Sequence, residues 1–388
     1  MDKEQSPRLI DHFSDLTDPR IERNKLHKLI DILTMAICAV ICNADSWEDI
    51  EEFAESKEEW FRKFLELPNG IPSHDTFRRV FIRLKPQEFQ DGFLSWVRAV
   101  QPLLKNNESE VVSIDGKTAR RSFDAQQGIP AMHMVSAWAN HSSMVLAQMR
   151  VQEKSNEIDA IPELLKLLEL NGCVVTIDAM GCQKQIAKDI RDKGADYVLA
   201  LKGNQGTLHE NVKLYLDDAS GRSFRDIPYD SHTTVEKDHG RFERREYYVT
   251  SELSWLEEAE GWQDLASIGM VRSTREIKGQ QSTEIRYFIS SLPPDAKQFA
   301  HAVRSHWGVE NSLHWVMDIA FREDESRIRK DHSPENFAVL RHIALNLIKQ
   351  ERSSKRSVRG KRLKAGWDNT YLERVLFGTG QPARPATD

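Results

Sequence analysis

Two short apolar runs constrain this chain more than anything else in it: Val111-Val112-Ser113-Ile114 stops at Asp115, and Val174-Val175-Thr176-Ile177 stops at Asp178. Runs of this length, rich in β-branched residues and closed by small or turn-forming residues (Gly116 after the first, Ala179-Met180-Gly181 after the second), are buried strands. Acids at the carboxyl ends of such strands face the crevice where α/β sheets hold ligands. Either aspartate alone would serve as a turn or cap residue. The repeated arrangement points to a shared site.

The surrounding pattern supports an α/β layer fold. Further apolar runs at His133–Trp138, Met144–Val151 and Tyr197–Leu201 read as strands, with helical patterns at Glu157–Leu170, behind the capping candidates Ser155 and Asn156, and at Gln183–Lys193. The order is three strands, a helix, a strand, a helix and a strand, so the first three form a meander. Ahead of this, from about Lys25 to Val100, apolar residues recur at helical spacing, which predicts an all-helical N-terminal domain over 1–105. In it Ser73 can cap a short basic helix with Arg78 and Arg79, suited to a DNA groove or to an ordinary solvated face. Thr233 to Leu292 shows two hairpin-like pairs, turning near Asp238-His239-Gly240 and Lys278-Gly279, and predicts a β-rich insertion at about 205–292 within a catalytic domain spanning 106–350. After Pro294 the helical pattern returns, through Phe299–Ala320 and from Ser333-Pro334-Glu335 to about Lys349.

A third acid comes from the helical wheel. At the α-helical 100° per residue, Phe299, Ala302, Val303, His306, Val309, Leu313, Val316, Met317 and Ala320 form one apolar stripe, and Glu310 falls inside it, whereas Asp318 is turned away from the sheet edge. A carboxylate in an apolar stripe needs a salt-bridge partner or a metal ion. Asp115, Asp178 and Glu310 together offer hard oxygen ligands without an accompanying Cys/His set, which suits Mg2+ or Mn2+ rather than zinc. The histidines, among them His133, His314 and His342, form no metal-binding spacing and read as structural, and Trp307 and Trp315 read as packing residues.

Charge is divided along the chain. The formal net charge of -6 does not advertise a polyanion binder, yet acids crowd Asp45–Glu59 while Lys349–Lys364 is strongly basic. The latter predicts a basic C-terminal tail over 351–388, in which Lys355, Arg356, Arg359, Lys361 and Arg362 are candidates for DNA phosphates. Four cysteines without a CxxC pair, a most hydrophobic stretch (Leu29–Cys42) interrupted by Asp31, and no signal-peptide pattern predict a reduced cytoplasmic protein with no membrane partner.

Val112-Ser113-Ile114-Asp115-Gly116-Lys117, Thr176-Ile177-Asp178-Ala179-Met180-Gly181, Leu199-Ala200-Leu201-Lys202-Gly203-Asn204 and His306-Trp307-Gly308-Val309-Glu310-Asn311 together resemble the H-repeat-associated subgroup of insertion-sequence DDE transposases, over about Leu9 to Lys349. The resemblance implies an RNase H-like mixed sheet core flanked by helices, with a β-rich insertion before the third acid. It implies Asp115, Asp178 and Glu310 as catalytic, metal-binding residues, and metal-dependent strand cleavage and transfer on double-stranded DNA, both transposon ends and target, by a homodimer on DNA. Where the broader family carries Tyr, Arg and Lys around its glutamate, this chain has Val303, His306 and Met317. A phosphate contact would then fall to Arg304 or His306; separately, Lys117, Arg120 and Arg121 after the first aspartate suit phosphates or a solvated basic loop, and Lys202 ends a predicted strand near the same crevice. The rival reading is a domesticated, non-cutting DNA-binding relative; the presence of all three acids opposes it, and the altered surroundings of Glu310 lean toward it.

Overall fold

The computed structural model describes residues 7–104, 109–123, 130–152, 156–238 and 241–378. The apolar runs form strands β1 (Val111–Thr118), β2 (His133–Ala139), β3 (Met144–Arg150), β4 (Val174–Ile177) and β5 (Asp196–Leu201). β1, β2 and β3 are an antiparallel meander, while β4 and β5 run parallel to β1, giving the order β3-β2-β1-β4-β5. This is the RNase H-like core that the resemblance implies, and its first three strands form the meander that the sequence predicts.

Four more strands, β6 (Asp230–Asp238), β7 (Arg241–Thr250), β8 (Ser267–Ile277) and β9 (Gln280–Ser290), account for the β-rich stretch. They extend the core sheet rather than fold apart from it: β9 pairs antiparallel with β5, from Val198 opposite Ser290 to Leu201 opposite Tyr287, and one sheet of nine strands results. The turn at Lys278-Gly279 has positive φ at both residues (52° and 78°), the twist-compatible geometry of a tight hairpin. Of the other predicted turn, His239 and Gly240 lie outside the described residues, as does the capping candidate Ser155.

The N-terminal part is helical, as the spacing predicts, and one later helix ties it to the sheet. Ser333–Gln350 is buried along nearly its whole length. Asn336 Nδ2 donates to the carbonyls of Phe81 and Leu84 (2.8 Å each) at the end of the helix His74–Arg83, and Asn346 exchanges two bonds with the backbone of Val145 on β3 (2.8 and 2.9 Å). Two buried amides thus fix one helix to both halves of the protein. Such bonds specify position, because an unmatched amide there would cost about 1–3 kcal/mol.

The expected basic tail is a correction. Val358–Trp367 and Asn369–Phe377 are helices packed on the N-terminal ones, and residues 379–388 lie outside the described part. Lys57 Nζ donates to Gly366 O (3.0 Å) and Asn369 Oδ1 (2.7 Å), and Trp60 Nε1 donates to Glu373 Oε1 (2.7 Å). Helical spacing splits the basic residues: Lys355, Arg356 and Arg359 are exposed, whereas Lys361 and Arg362 are buried. Lys361 Nζ donates to Ile348 O (3.0 Å) and Glu351 O; Arg362 donates to Val40 O (2.8 Å) and lies 4.0 Å over the Phe321 ring. Burial draws the Arg362 guanidinium down to about 10. Neither is available to a phosphate. Arg362→Ala is therefore expected to destabilise the fold by about 2–4 kcal/mol in urea unfolding, against about 0.5 kcal/mol or less for Lys355→Ala or Arg356→Ala.

Candidate active site

β1 and β4 are adjacent and parallel, with Ile114 opposite Ile177. Asp115 and Asp178 therefore stand side by side where the pairing of these strands ends: Asp178 directly follows β4, whereas β1 does not stop at Asp115 as the sequence suggests but runs on to Thr118 against β2. Asp178 is half-buried and fastened by its own turn, Oδ1 accepting from the backbone N–H of Met180 (3.0 Å) and Gly181 (3.3 Å). The Asp115 carboxyl is pushed up to about 7, first by burial and then by the charges of Asp178, Glu157 and Glu310, against a lowering backbone bond from Gly116. Several acids share one poorly solvated crevice, and their repulsion is what a cation would relieve.

The third acid reaches the crevice on a helix locked to the same strands. Ser113 and Thr176 stand two residues before the aspartates and so on the same faces as them. Thr176 Oγ1 donates to Ser113 Oγ (3.1 Å), Asn140 Nδ2 also donates to it (2.8 Å), and Ser113 Oγ donates to Ser305 O (3.2 Å) on the helix Ala296–Gly308. His306, a candidate phosphate contact, is used here instead: its Nδ1 lies 3.1 Å from Thr176 Oγ1. Gly308 permits the approach, since a Cβ there would stand 2.0 Å from Asn140 Oδ1.

Beyond Gly308 the helix changes character, and the wheel expectation fails. Val309–His314 is a π-helical segment, so each residue turns the chain less than 100°, a feature frequent at functional sites. Glu310 is exposed at the crevice mouth, not buried in the apolar stripe. Asp318, expected to face away from the sheet, faces it: Lys117 Nζ on β1 donates to Asp318 Oδ1 and to Glu323 Oε2 (2.7 Å). Lys117 is thus held in a largely buried ion cluster and is not a free phosphate ligand. Burial would raise the Glu323 carboxyl, but Lys117 and Arg341 outweigh it and hold the group down at about 2.

The other expected contacts are on the surface. Arg120 lies 3.4 Å from Asp324, Arg304 pairs with Glu236 (3.0 Å), and Lys202 is exposed directly after β5. Two features escaped the sequence reading. Glu157, the first residue of the helix Glu157–Leu167, bonds His133 Nε2 (2.7 Å) beside Asp115, and an alanine Cβ at Gly116 would come within 2.3 Å of its carboxylate. The second is a cavity of about 380 Å3 lined by Arg241, Arg245, Arg275, Arg286 and Arg304 and reaching Trp307 and Glu310. Buried Glu243 organises it, pairing with Arg241, Arg245 (2.6 Å) and Arg275 (3.5 Å), while Arg286 stacks 4.9 Å over Trp307. The alternation Arg241, Glu243, Arg245 on one strand face was its visible signal.

Among the described residues no three His, Cys, Asp or Glu side chains stand close enough to enclose a metal ion. The donor set nonetheless fits a hard divalent cation, being carboxylate oxygens around an aspartate whose ionisation lacks a counter-charge.

The sheet thus holds two acids side by side where its adjacent parallel strands part, with a third on a helix bonded to them, and the class of protein follows from what the chain is similar to. The chain belongs to the DDE transposase family: residues 106–347 match the Transposase DDE domain and residues 10–97 match the domain described as DDE_Tnp_1-associated. It is 42% identical over 372 residues to "Putative transposase YncI" of Escherichia coli O157:H7, covering 95% of this chain and 94% of that one. It is 39% identical over 378 residues to "H repeat-associated putative transposase YhhI" of Escherichia coli K12, covering 96% and 98%. Among solved structures it is similar to a piggyBac transposase in a synaptic complex with hairpin DNA, at a TM-score of 0.40 and 11% identity, covering 96% of this chain and 80% of that one.

The buried ion cluster makes a test of its own. Because the folded-state value of Glu323 lies below its ordinary 4.5, its contribution to stability is complete above that pH and fades as pH falls toward about 2. The stability gap between wild type and Glu323→Gln, measured by urea unfolding, should be constant near neutrality and close over that acid window.

Proposed function

We propose that this protein cleaves DNA at insertion-sequence ends and transfers the freed strand to a target, with Asp115, Asp178 and Glu310 as its metal-binding acids. The observation that carries the reading is the side-by-side placement of Asp115 and Asp178 where paired parallel strands part, in a chain of this family. Mg2+ or Mn2+, held by these carboxylates, would supply charge neutralisation and hydroxyl activation for an in-line displacement at phosphorus. The protein's own part is positioning. The Asp178 turn and the Ser113–Thr176 bonds keep the two strand ends and the Glu310 helix in register, and no covalent protein nucleophile is required.

The arginine-lined cavity is the proposed track for a DNA strand, because guanidiniums held by Glu243 present phosphate-binding forks beside Glu310. Exposed Arg120, Lys202, Lys355, Arg356 and Arg359 add to the cationic surface. A homodimer on DNA follows from the need to hold two ends at once. None of the four cysteines is in a disulfide, and no helix among the described residues is long and apolar enough to cross a membrane; the proposed setting is the cytoplasm.

Two expectations follow. Asp115→Asn, Asp178→Asn and Glu310→Gln should each lower Mg2+-dependent cleavage of end DNA by roughly 100-fold or more while DNA binding persists. Asp318→Asn should retain most activity, since Lys117 keeps Glu323; a dead Asp318→Asn beside an active Glu310→Gln would reverse the assignment. For the groove, Arg275→Ala or Arg286→Ala should flatten the slope of log affinity against log salt by about 0.7–0.9 each, and unchanged slopes would remove it from the DNA path.

A further inference from the structure

Behind Asp115, on the side away from the arginine groove, lies a second and much smaller cavity. It measures about 20 Å3 and is lined by Lys117, Ser136, Gln148, His314, Glu323 and His342 among others. Ser136 and Gln148 in its floor continue a cross-strand row that begins at Asp115: Asp115 on β1 is opposite Ser136 on β2, which is opposite Gln148 on β3, so the three side chains share one face of the sheet. Its roof comes from two other elements, His314 at the end of the π-helical segment and His342 on the helix Ser333–Gln350.

Four polar atoms of these lining residues make no hydrogen bond to the protein: Gln148 Nε2, Gln148 Oε1, His314 Nε2 and His342 Nδ1. Gln148 is fully buried and His342 is 5% exposed. Leaving four such atoms unpaired around one space would be costly, at about 1–3 kcal/mol for each buried group. The space is of the size that takes one water, which needs about 10–15 Å3 and two to four polar partners. The opposite edge of the His314 ring faces the acid, with Nδ1 3.5 Å from Asp115 Oδ2.

We infer that the cavity binds one buried water, shared by Gln148 and His342, which donates to His314 Nε2 and so fixes the neutral ring with its proton on Nδ1, toward Asp115. The chemistry requires this sense. With Asp115 ionised, the imidazole nitrogen facing its carboxylate carries the hydrogen, and the partner nitrogen of the neutral ring must then find a donor. Gln148 Nε2 can donate to the water, and Gln148 Oε1 or His342 Nδ1 can take its second hydrogen. His314 becomes a positioning residue that holds the Asp115 carboxylate in one orientation, with Gln148 and His342 as its supports. The π-helical turn has a purpose in this arrangement, because it delivers Glu310 to the crevice mouth and His314 to the far side of Asp115 within a single segment. Only the consequence for catalysis rests on the proposed function; the water and the ring state stand apart from it.

The test uses the full chain, labelled with 15N-histidine, at a pH well above the Asp115 value, with the His314 signals identified by their loss in His314→Asn. Wild type should show the Nδ1–H form. Gln148→Met, close in shape but without polar atoms, should shift the ring toward the Nε2–H form and lower the Tm, because it removes the amide that donates to the water. His342→Phe should shift the ring likewise, and His342→Gln, which keeps a polar group at the cavity, should restore the wild-type form. A wild-type ring protonated on Nε2 would overturn the inference. So would a Gln148→Met protein with an unchanged ring and a raised Tm, the result expected from deleting an amide that bonds nothing. None of these readings depends on DNA cleavage, so failure here and failure of the proposed activity are separable.

Discussion

The parallel pairing of β1 with β4 is the constraint on which the rest depends. Register in a sheet is a discrete variable: a slip of one residue would move Asp115 to the other face and leave Asp178 alone at the crevice. The difference between the two faces makes such a slip expensive, since Val112, Ile114, Val175 and Ile177 are buried on the face opposite the aspartates. The hydrophobic core thus sets the separation of the two acids. Burial that raises Asp115 toward neutrality is the direct cost of the same arrangement.

A helix must then arrive at those strands in one position, and apolar packing alone tolerates sliding. The bonds among Ser113, Thr176, Asn140, His306 and Ser305 remove that freedom, because each is buried or half-buried and would lose its partner on a shift of one turn. Gly308 allows contact too close for any side chain. The π-helical segment begins directly after this locked stretch, so the departure from α-helical geometry is confined to the residues that face the acids.

How much of this was legible in the sequence depended on whether the local signal and the tertiary outcome coincide. The strands were readable because short runs of mostly apolar residues carry their own burial, but the ending expected at Asp115 was not there: β1 runs on to Thr118 because β2 pairs with it, and that partner leaves no local mark. Glu310 was singled out by the helical wheel, and its environment was misread: the wheel presumes a constant 100° per residue, and a π turn is set by packing that no periodicity reveals. Asp318 was misplaced for the same reason. The basic stretch after Lys349 misled in another way. Charge density announces solvent, yet Lys361 and Arg362 bury long apolar stems and satisfy their heads on backbone carbonyls, an outcome that depends on which helices lie beneath them. The joining of β9 to β5 was likewise invisible, since partner choice between distant strands leaves no local mark.

The charge distribution completes the physical picture. An acid crevice repels a polyanion, so a strand can approach it only if cations nearby offset the repulsion. The five arginines of the large cavity stand on β7, β8, β9 and the helix that carries Glu310, and the pairing of β9 with β5 is what brings that surface next to the acids. Most of these guanidiniums are already engaged by Glu243, Glu236 or Glu284, so their net charge is small. What the carboxylates provide is order. A guanidinium held by one buried acid loses less freedom on meeting a phosphate than a free surface arginine does, and it keeps further N–H donors to offer. Under the proposed function this reconciles an overall charge of -6 with a DNA path, since the local arrangement of donors, and not the sum over the sequence, would meet a phosphate.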